Sequence, residues 1–300
     1  MHQIIILFLK ANKMYISEDQ RINQRIPMGP VVVPMGAQMV PQAMPGALPF
    51  SSMFGQGVVM SNHPLDDLAM ATSCKINQRF DFLEAFTCCE NRSVFDIVAV
   101  DGNGVYKYLF KAKEESDWCI RNCCPSNARS FKMNIYHVVY GPYGETAKRL
   151  FAQFDRPWTC TFYCLGRPVI HGNYIDNSQP IGMTREPCTI CSPEFTVSDK
   201  TGKIKYILEL DCCQAGFCIG RCYEAIINVI DANTRQIVGS IIKKESCEEC
   251  FGDFSQYNVL FPPNASPEDK MSLIGSVLFI DYRYFESNPG NNNHRTGYYR

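Results

Sequence analysis

Met271-Ser-Leu-Ile-Gly-Ser-Val-Leu-Phe-Ile-Asp-Tyr-Arg-Tyr-Phe-Glu286 is an apolar run broken by one acid, Asp281, and preceded by a polar segment from Phe251 to Lys270. Its hydrocarbon is carried by Leu273, Ile274, Val277, Leu278, Phe279 and Ile280. A bilayer core of about 30 Å needs about 20 predominantly apolar residues as helix. Extending the run to Phe285 admits Asp281 and Arg283, each costing roughly 2.5–3.5 kcal/mol at mid-depth. Two readings follow, a helix buried in a protein core or a marginal membrane segment. The core reading places Asp281 at the helix end, with Tyr282, Arg283 and Tyr284 emerging into the surface layer.

The preceding body alternates at strand period. Ser93 to Val100 and Val105 to Phe110 flank Asp101-Gly-Asn-Gly104, a hairpin signal. Asn134 to Tyr140 ends at Gly141-Pro-Tyr-Gly144, and Phe195 to Val197 is separated from Lys203 to Leu210 by Ser198-Asp-Lys-Thr-Gly202. Tyr223 to Ile230 meets Ile237 to Ile242 across Asp231-Ala-Asn-Thr-Arg235. Short strands with turns at this spacing predict a mainly β fold, an antiparallel sandwich or barrel. A lone apolar helix then has a place inside it. Residues 65–87 read differently, because Ile76, Phe80, Leu83 and Thr87 recur at four and three and predict a helix.

Ahead of this body, Ile26 to Leu65 holds no charged residue and carries prolines at 27, 30, 34, 41, 45, 49 and 64 among six methionines. Proline fixes φ and donates no hydrogen bond, so residues 1–64 read as a disordered Pro/Met/Gly-rich tail, with residues 287–300 a second tail. Pro27-Met-Gly-Pro30 fits the PxxP pattern of SH3-like or WW-like ligands. The intervening 65–286 is long enough for one domain with a sizeable core.

Net charge is −1 across 300 residues, so no global field recruits nucleic acid. Met1 to Lys10 lacks a basic start and a small-residue cleavage site and makes a poor signal peptide. The 16 cysteines are therefore expected as free thiols in a reducing compartment. Cys188-Thr-Ile-Cys191 and Cys247-Glu-Glu-Cys250 have zinc-ligand spacing, but packing as small hydrophobes is the preferred reading. The five histidines show no metal spacing, and no nucleophile elbow, P-loop or dinucleotide fingerprint is present. Nothing in the residues points to chemical catalysis.

Four blocks occur in one order: Arg79-Phe-Asp-Phe-Leu-Glu-Ala-Phe-Thr87, Ile120-Arg-Asn-Cys-Cys124, Phe261-Pro262 and the terminal apolar run. Together they resemble the phospholipid scramblase family from about Leu65 to Glu286. The resemblance implies a tubby-like closed antiparallel β-barrel around a C-terminal apolar helix. It further implies membrane association, at the cytoplasmic face of the plasma membrane, and calcium-responsive, bidirectional movement of phospholipids between leaflets.

It also places a weak calcium loop at Asp253 to Asn264. EF-hand positions 1, 3, 5 and 12 there hold Asp253, Ser255, Tyr257 and Asn264, of which only the first is anionic. The family's acylated cysteine cluster is thinned here to Cys160 and Cys164, about the minimum for stable anchoring. A rival function is a soluble or peripherally bound tubby-like adaptor whose terminal helix stays in the barrel and whose Pro-rich tail recruits partners.

Overall fold

The computed structural model describes residues 63–79, 93–124, 128–141, 144–159, 161, 165–189, 192–211, 214, 224–244 and 255–285, all within the compact unit Val59–Arg300. A short helix, α1 (Pro64–Met70), leads into β1 (Ala71–Gln78). Then come β2 (Val94–Asp101), β3 (Tyr106–Glu115), helix α2 (Trp118–Cys123), β4 (Phe131–Gly141), β5 (Gly144–Arg156), β6 (Val169–Tyr174) and β7 (Pro180–Arg185). The chain continues through β8 (Glu194–Asp199), β9 (Ile204–Leu210), β10 (Ala225–Asp231), β11 (Ile237–Lys243) and β12 (Gln256–Leu260). Helix α3 (Pro267–Ile280) follows and runs into a π-helical turn, Asp281–Phe285.

Each strand pairs antiparallel with its neighbour in sequence, and β1 pairs with β12, so the twelve strands close into a barrel without an edge. Alternation sets the inner face: Cys74 and Ile76 on β1, Phe95, Ile97 and Ala99 on β2, and Ala225, Ile227 and Val229 on β10 are all buried. One end of the barrel carries tight turns. At Asp101, Asp199 and Asp231 a carboxylate accepts backbone N–H bonds from Asn103 and Val105, from Thr201 and Lys203, and from Asn233 and Thr234. This is the hairpin end. The opposite, loop end receives the longer connections, including 116–130, 157–168 and 186–193.

Two sequence expectations change. Ile76 lies on strand β1 and not on a helix, because Cys74 and Ile76 fill inward positions of the strand that closes the barrel against β12; Phe80, Leu83 and Thr87 fall outside the described residues. The segment before α3 is not all loop either, since Gln256–Leu260 is strand β12. Of the tails read at 1–64 and 287–300, Pro64 opens α1 and not a tail, and residues 1–62 and 287–300 lie outside the described residues.

Eight strands give an interior that side chains just fill, and twelve leave a wider lumen. Helix α3 occupies it. Its apolar residues Leu273, Ile274, Val277, Leu278, Phe279 and Ile280 are all buried, as are its serines. A helix apolar on every side is one enclosed on every side. Ser266 starts it with a reciprocal capping box to Asp269, and Pro267 occupies the first turn where its missing N–H costs nothing.

Close contact with the wall needs glycine. A Cβ on Gly275 would lie 2.2 Å from Phe154 Cε1, and one on Gly172 of β6 would lie 2.5 Å from the same atom. The Phe154 ring is thus held between helix and strand. Gly275→Ala is expected to destabilise the fold by about 1–3 kcal/mol through overpacking. Urea unfolding of the full chain checks this; an unchanged midpoint would show that the ring has room to yield.

Candidate functional site

Helix α3 is fixed by polar contacts at three heights. At its start Lys270 Nζ donates to the carbonyls of Leu68 (3.1 Å), Ala69 (2.8 Å) and Ala71 (2.8 Å). These are last-turn carbonyls of α1 and the first of β1, so one ammonium ties the helix entry to the strand that closes the barrel. Burial lowers the Lys270 pKa from its ordinary value. Midway, Ser276 Oγ donates to Ser272 O (2.8 Å), which leaves the Thr184 hydroxyl of β7 as donor in the 2.7 Å Thr184–Ser276 contact.

The third anchor is a buried charged layer at the loop end. Tyr257 Oη donates to Asp281 Oδ1 at 2.6 Å, and Tyr282 Oη donates to Glu114 Oε2 at 2.9 Å. Glu114 also accepts from the Ser93 N–H and the Ser116 hydroxyl, and lies 3.6 Å from Arg129. Glu186 takes three donors: Arg167 Nη2 (2.5 Å), Arg283 Nε (2.7 Å) and Tyr284 Oη (2.6 Å). The cations also lie over rings, Arg129 over Tyr282, Arg156 over Phe131 and Phe279, and Lys243 over Phe285. Charged groups removed from water need such compensation, since an unpaired one costs several kcal/mol.

This layer escaped the sequence reading, yet it left a signal. Strand phase puts Phe110, Ala112 and Glu114 on one face of β3, Ala152, Phe154 and Arg156 on one face of β5, and Ile241 and Lys243 on one face of β11. A charge on the apolar phase of a strand marks an inward-facing charge. The partners joined across 97 and 168 residues are not visible in sequence. Tyr282 departs from the expectation that it emerges beyond Asp281. It is fully buried, stacked on Phe131 at 4.2 Å, because the π-helical turn keeps both Asp281 and Tyr282 inside the wall.

The calcium-loop candidates are spread out. Ser255 is buried at the loop end, its N–H bonded to Gln78 Oε1; Tyr257 points into the barrel at Asp281; Asn264 lies past β12 at the hairpin end. Five strand residues separate these ends by about 17 Å at 3.3–3.4 Å per residue, so the structure does not bring Ser255 and Asn264 together. Asp253 lies outside the described residues, as do Cys160 and Cys164, whose neighbours Trp158, Thr159, Thr161 and Leu165 sit at the loop end. Among the described residues no group of three or more His, Cys, Asp and Glu is gathered. Cys74, Cys119 and Cys124 are free thiols, whereas Cys188 is disulfide-bonded, a departure from the free-thiol expectation that leaves its sulfur no thiolate for zinc. Compartment redox alone did not reveal that pairing, which depends on geometry.

Burial and the neighbouring Glu186 carboxylate push the Tyr284 phenol well above its ordinary 10.0. The folded phenol holds its proton longer than the unfolded one, so this contribution is present below pH 10 and is lost as pH rises through the folded value. Glu186→Gln is expected to bring the Tyr284 phenol down and to destabilise the fold by roughly 3–5 kcal/mol, because Arg167 and Arg283 lose their shared carboxylate. Phenolate absorbance against pH and denaturant melts check both; a melt unchanged by the substitution would show that solvent reaches both guanidinium groups.

The chain compares with known proteins along most of this barrel. The scramblase family profile matches residues 51–287. Phospholipid scramblase 1 of Mus musculus is 25% identical over 241 residues, covering 78% of this chain and 66% of that protein. Phospholipid scramblase 2 of Bos taurus is 24% identical over 232 residues, covering 75% and 72% respectively. Phospholipid scramblase 4 of Homo sapiens is 24% identical over 263 residues, covering 85% and 72%. No solved structure matches. The match runs through every element that walls or fills the barrel, and the chain belongs to the scramblase family.

Proposed function

We propose that this chain promotes the passive, bidirectional movement of phospholipids between membrane leaflets, in response to calcium, from the cytoplasmic face of the plasma membrane. The observation that carries the proposal is the family profile over the whole barrel, together with relatives named phospholipid scramblases. Downhill exchange makes and breaks no covalent bond, so no catalytic constellation is required. Calcium enters the proposal through Asp253, with further ligands drawn from the end where Ser255 lies. Acyl groups on Cys160 and Cys164 supply an anchor, and the Pro-rich segment around Pro27 to Pro30 supplies a ligand for SH3-like or WW-like modules.

In this proposal α3 stays in the barrel while lipid is handled at the surface. No helix of the described residues is long and apolar enough to cross a membrane. Withdrawing α3 exposes its apolar residues at roughly 1.5–3 kcal/mol for each large side chain, breaks the Lys270, Ser276 and Asp281 contacts, and empties the lumen. The same enclosure favours a second reading, an adaptor that contacts membranes without moving lipid.

Dithionite quenching of fluorescent lipid in liposomes containing the full chain separates the readings. Calcium-dependent loss of inner-leaflet signal is expected, and Asp253→Ala is expected to weaken the calcium response. A Thr184→Cys, Ser276→Cys pair, built where the two hydroxyls lie 2.7 Å apart, staples α3 to β7 under oxidation. Scrambling that survives the staple supports a resident helix; scrambling lost on oxidation and restored by reductant means that α3 must leave. Protein that is reconstituted and folded but never scrambles points to the adaptor.

A further inference from the structure

The chain has two tryptophans, Trp118 and Trp158, and both are 61% exposed. Both stand at the loop end. Trp118 begins α2 in the β3–β4 connection, and Trp158 lies two residues past β5 in the β5–β6 connection. β4 lies between β3 and β5 and bonds to both, so the two connections rise from adjacent strands. Leu165, 71% exposed, belongs to the same connection as Trp158.

Local hydrogen bonds hold these apolar side chains outward. Asp117 caps α2 through the Cys119 N–H (2.8 Å), which fixes the turn bearing Trp118. The Thr159 N–H donates to Ala128 O (3.3 Å), tying the Trp158 segment to the connection that carries Trp118. Thr161 Oγ1 donates to Gly166 O (3.1 Å), bracing the loop that presents Leu165. Beneath Trp158, Arg156 is fully buried with its guanidinium over Phe131 and Phe279. The surface is therefore shaped by a frame that holds both indoles more than half exposed.

Indole favours the boundary between hydrocarbon and headgroups, where its ring is desolvated and its N–H stays wet. The charges beside the patch suit that boundary. Lys113 and Lys132, on β3 and β4 below the two connections, are exposed, and Lys132 stands across from Glu115 on β3 and Asp155 on β5. Of the nearby acids, Asp117 is engaged in the α2 cap, and Glu115 accepts from the Asn134 amide (2.9 Å).

We propose that Trp118, Trp158 and Leu165 form the membrane-docking face of the barrel, inserting into the headgroup boundary of a bilayer containing anionic phospholipid, with Lys113 and Lys132 over the headgroups. This rests on the membrane reading above and names the surface that carries it. The barrel then meets lipid loop end first, with the Asp281 to Phe285 layer directly behind the contact.

Both fluorophores lie in the proposed face, so intrinsic emission tests it directly. Full-length chain made without acylation is mixed with phosphatidylcholine–phosphatidylserine vesicles. A blue shift of emission and quenching by vesicles of brominated phosphatidylcholine are expected. The variant Trp118→Ser, Trp158→Ser, Leu165→Ser should sediment with vesicles at least about tenfold less well, while Trp118→Phe, Trp158→Phe retains most binding and shows that the fold tolerates loss of the indoles. The hairpin-end control Met70→Ser, Ile237→Ser, Leu260→Ser should bind as the parent does; these three residues are also exposed. Emission unmoved by vesicles, full sedimentation of the triple serine variant, or loss of binding in the hairpin-end control each overturns the proposal. Docking is read here without any leaflet exchange, so a chain that docks and does not scramble refutes the proposed activity and leaves the docking face standing.

Discussion

A barrel of twelve strands is wider than its inward side chains can fill, and the fold depends on how that space is filled. Helix α3 is the filling, and it serves because no face of it is polar. The apolar side chains reach the wall on every side, glycines at 172, 182 and 275 let helix and strands approach, and the Ser276 hydroxyl is shared between the Ser272 carbonyl and Thr184. Removing apolar surface from water is non-directional and does not by itself set the depth or rotation of a helix in a lumen. The polar contacts at Lys270, Thr184 and the Asp281 to Tyr284 turn supply that direction.

These contacts differ in character. Lys270 is satisfied by three carbonyls, an arrangement that binds α1, β1 and α3 into one joint. The loop end instead gathers carboxylates, guanidinium groups and phenols in a layer that water hardly enters. Such a layer contributes less to net stability than its number of contacts suggests, because desolvation offsets much of the attraction. What it adds is position, since each charge is satisfied only when the turn after α3 sits in one place.

How much of this could be read beforehand varied with the range of the contact. The hairpins at Asp101, Asp199 and Asp231 were legible because turn chemistry and alternation are local properties. The terminal run was legible as a helix with two possible solvents, and only barrel closure decided between them. Strand β5 was not read, since Gly144 to Arg149 carries charges and hides its phase; β12 was concealed by being taken as a ligand loop. The calcium candidates were chosen by spacing along the chain, and a strand places Ser255 and Asn264 at opposite ends, which linear spacing does not reveal. Glu114, Arg156 and Lys243 stood on apolar phases in plain view, but their partners depend on pairing across the barrel.

The order of elements along the chain bears on how the molecule is made. The helix that fills the lumen follows all twelve strands, and β1 must wait for β12, whose Leu260 pairs with Ser73. A ribosome therefore releases every strand before the core exists. Until then the inner faces of β1 to β11 have nothing to enclose and stay open to solvent, to chaperones or to one another. Contacts so distant in sequence are slow to form, and unpaired strands invite association in the meantime. The most decisive folding event thus waits until β12 and α3 have left the ribosome, which makes the interval before then the period of greatest exposure to misassembly.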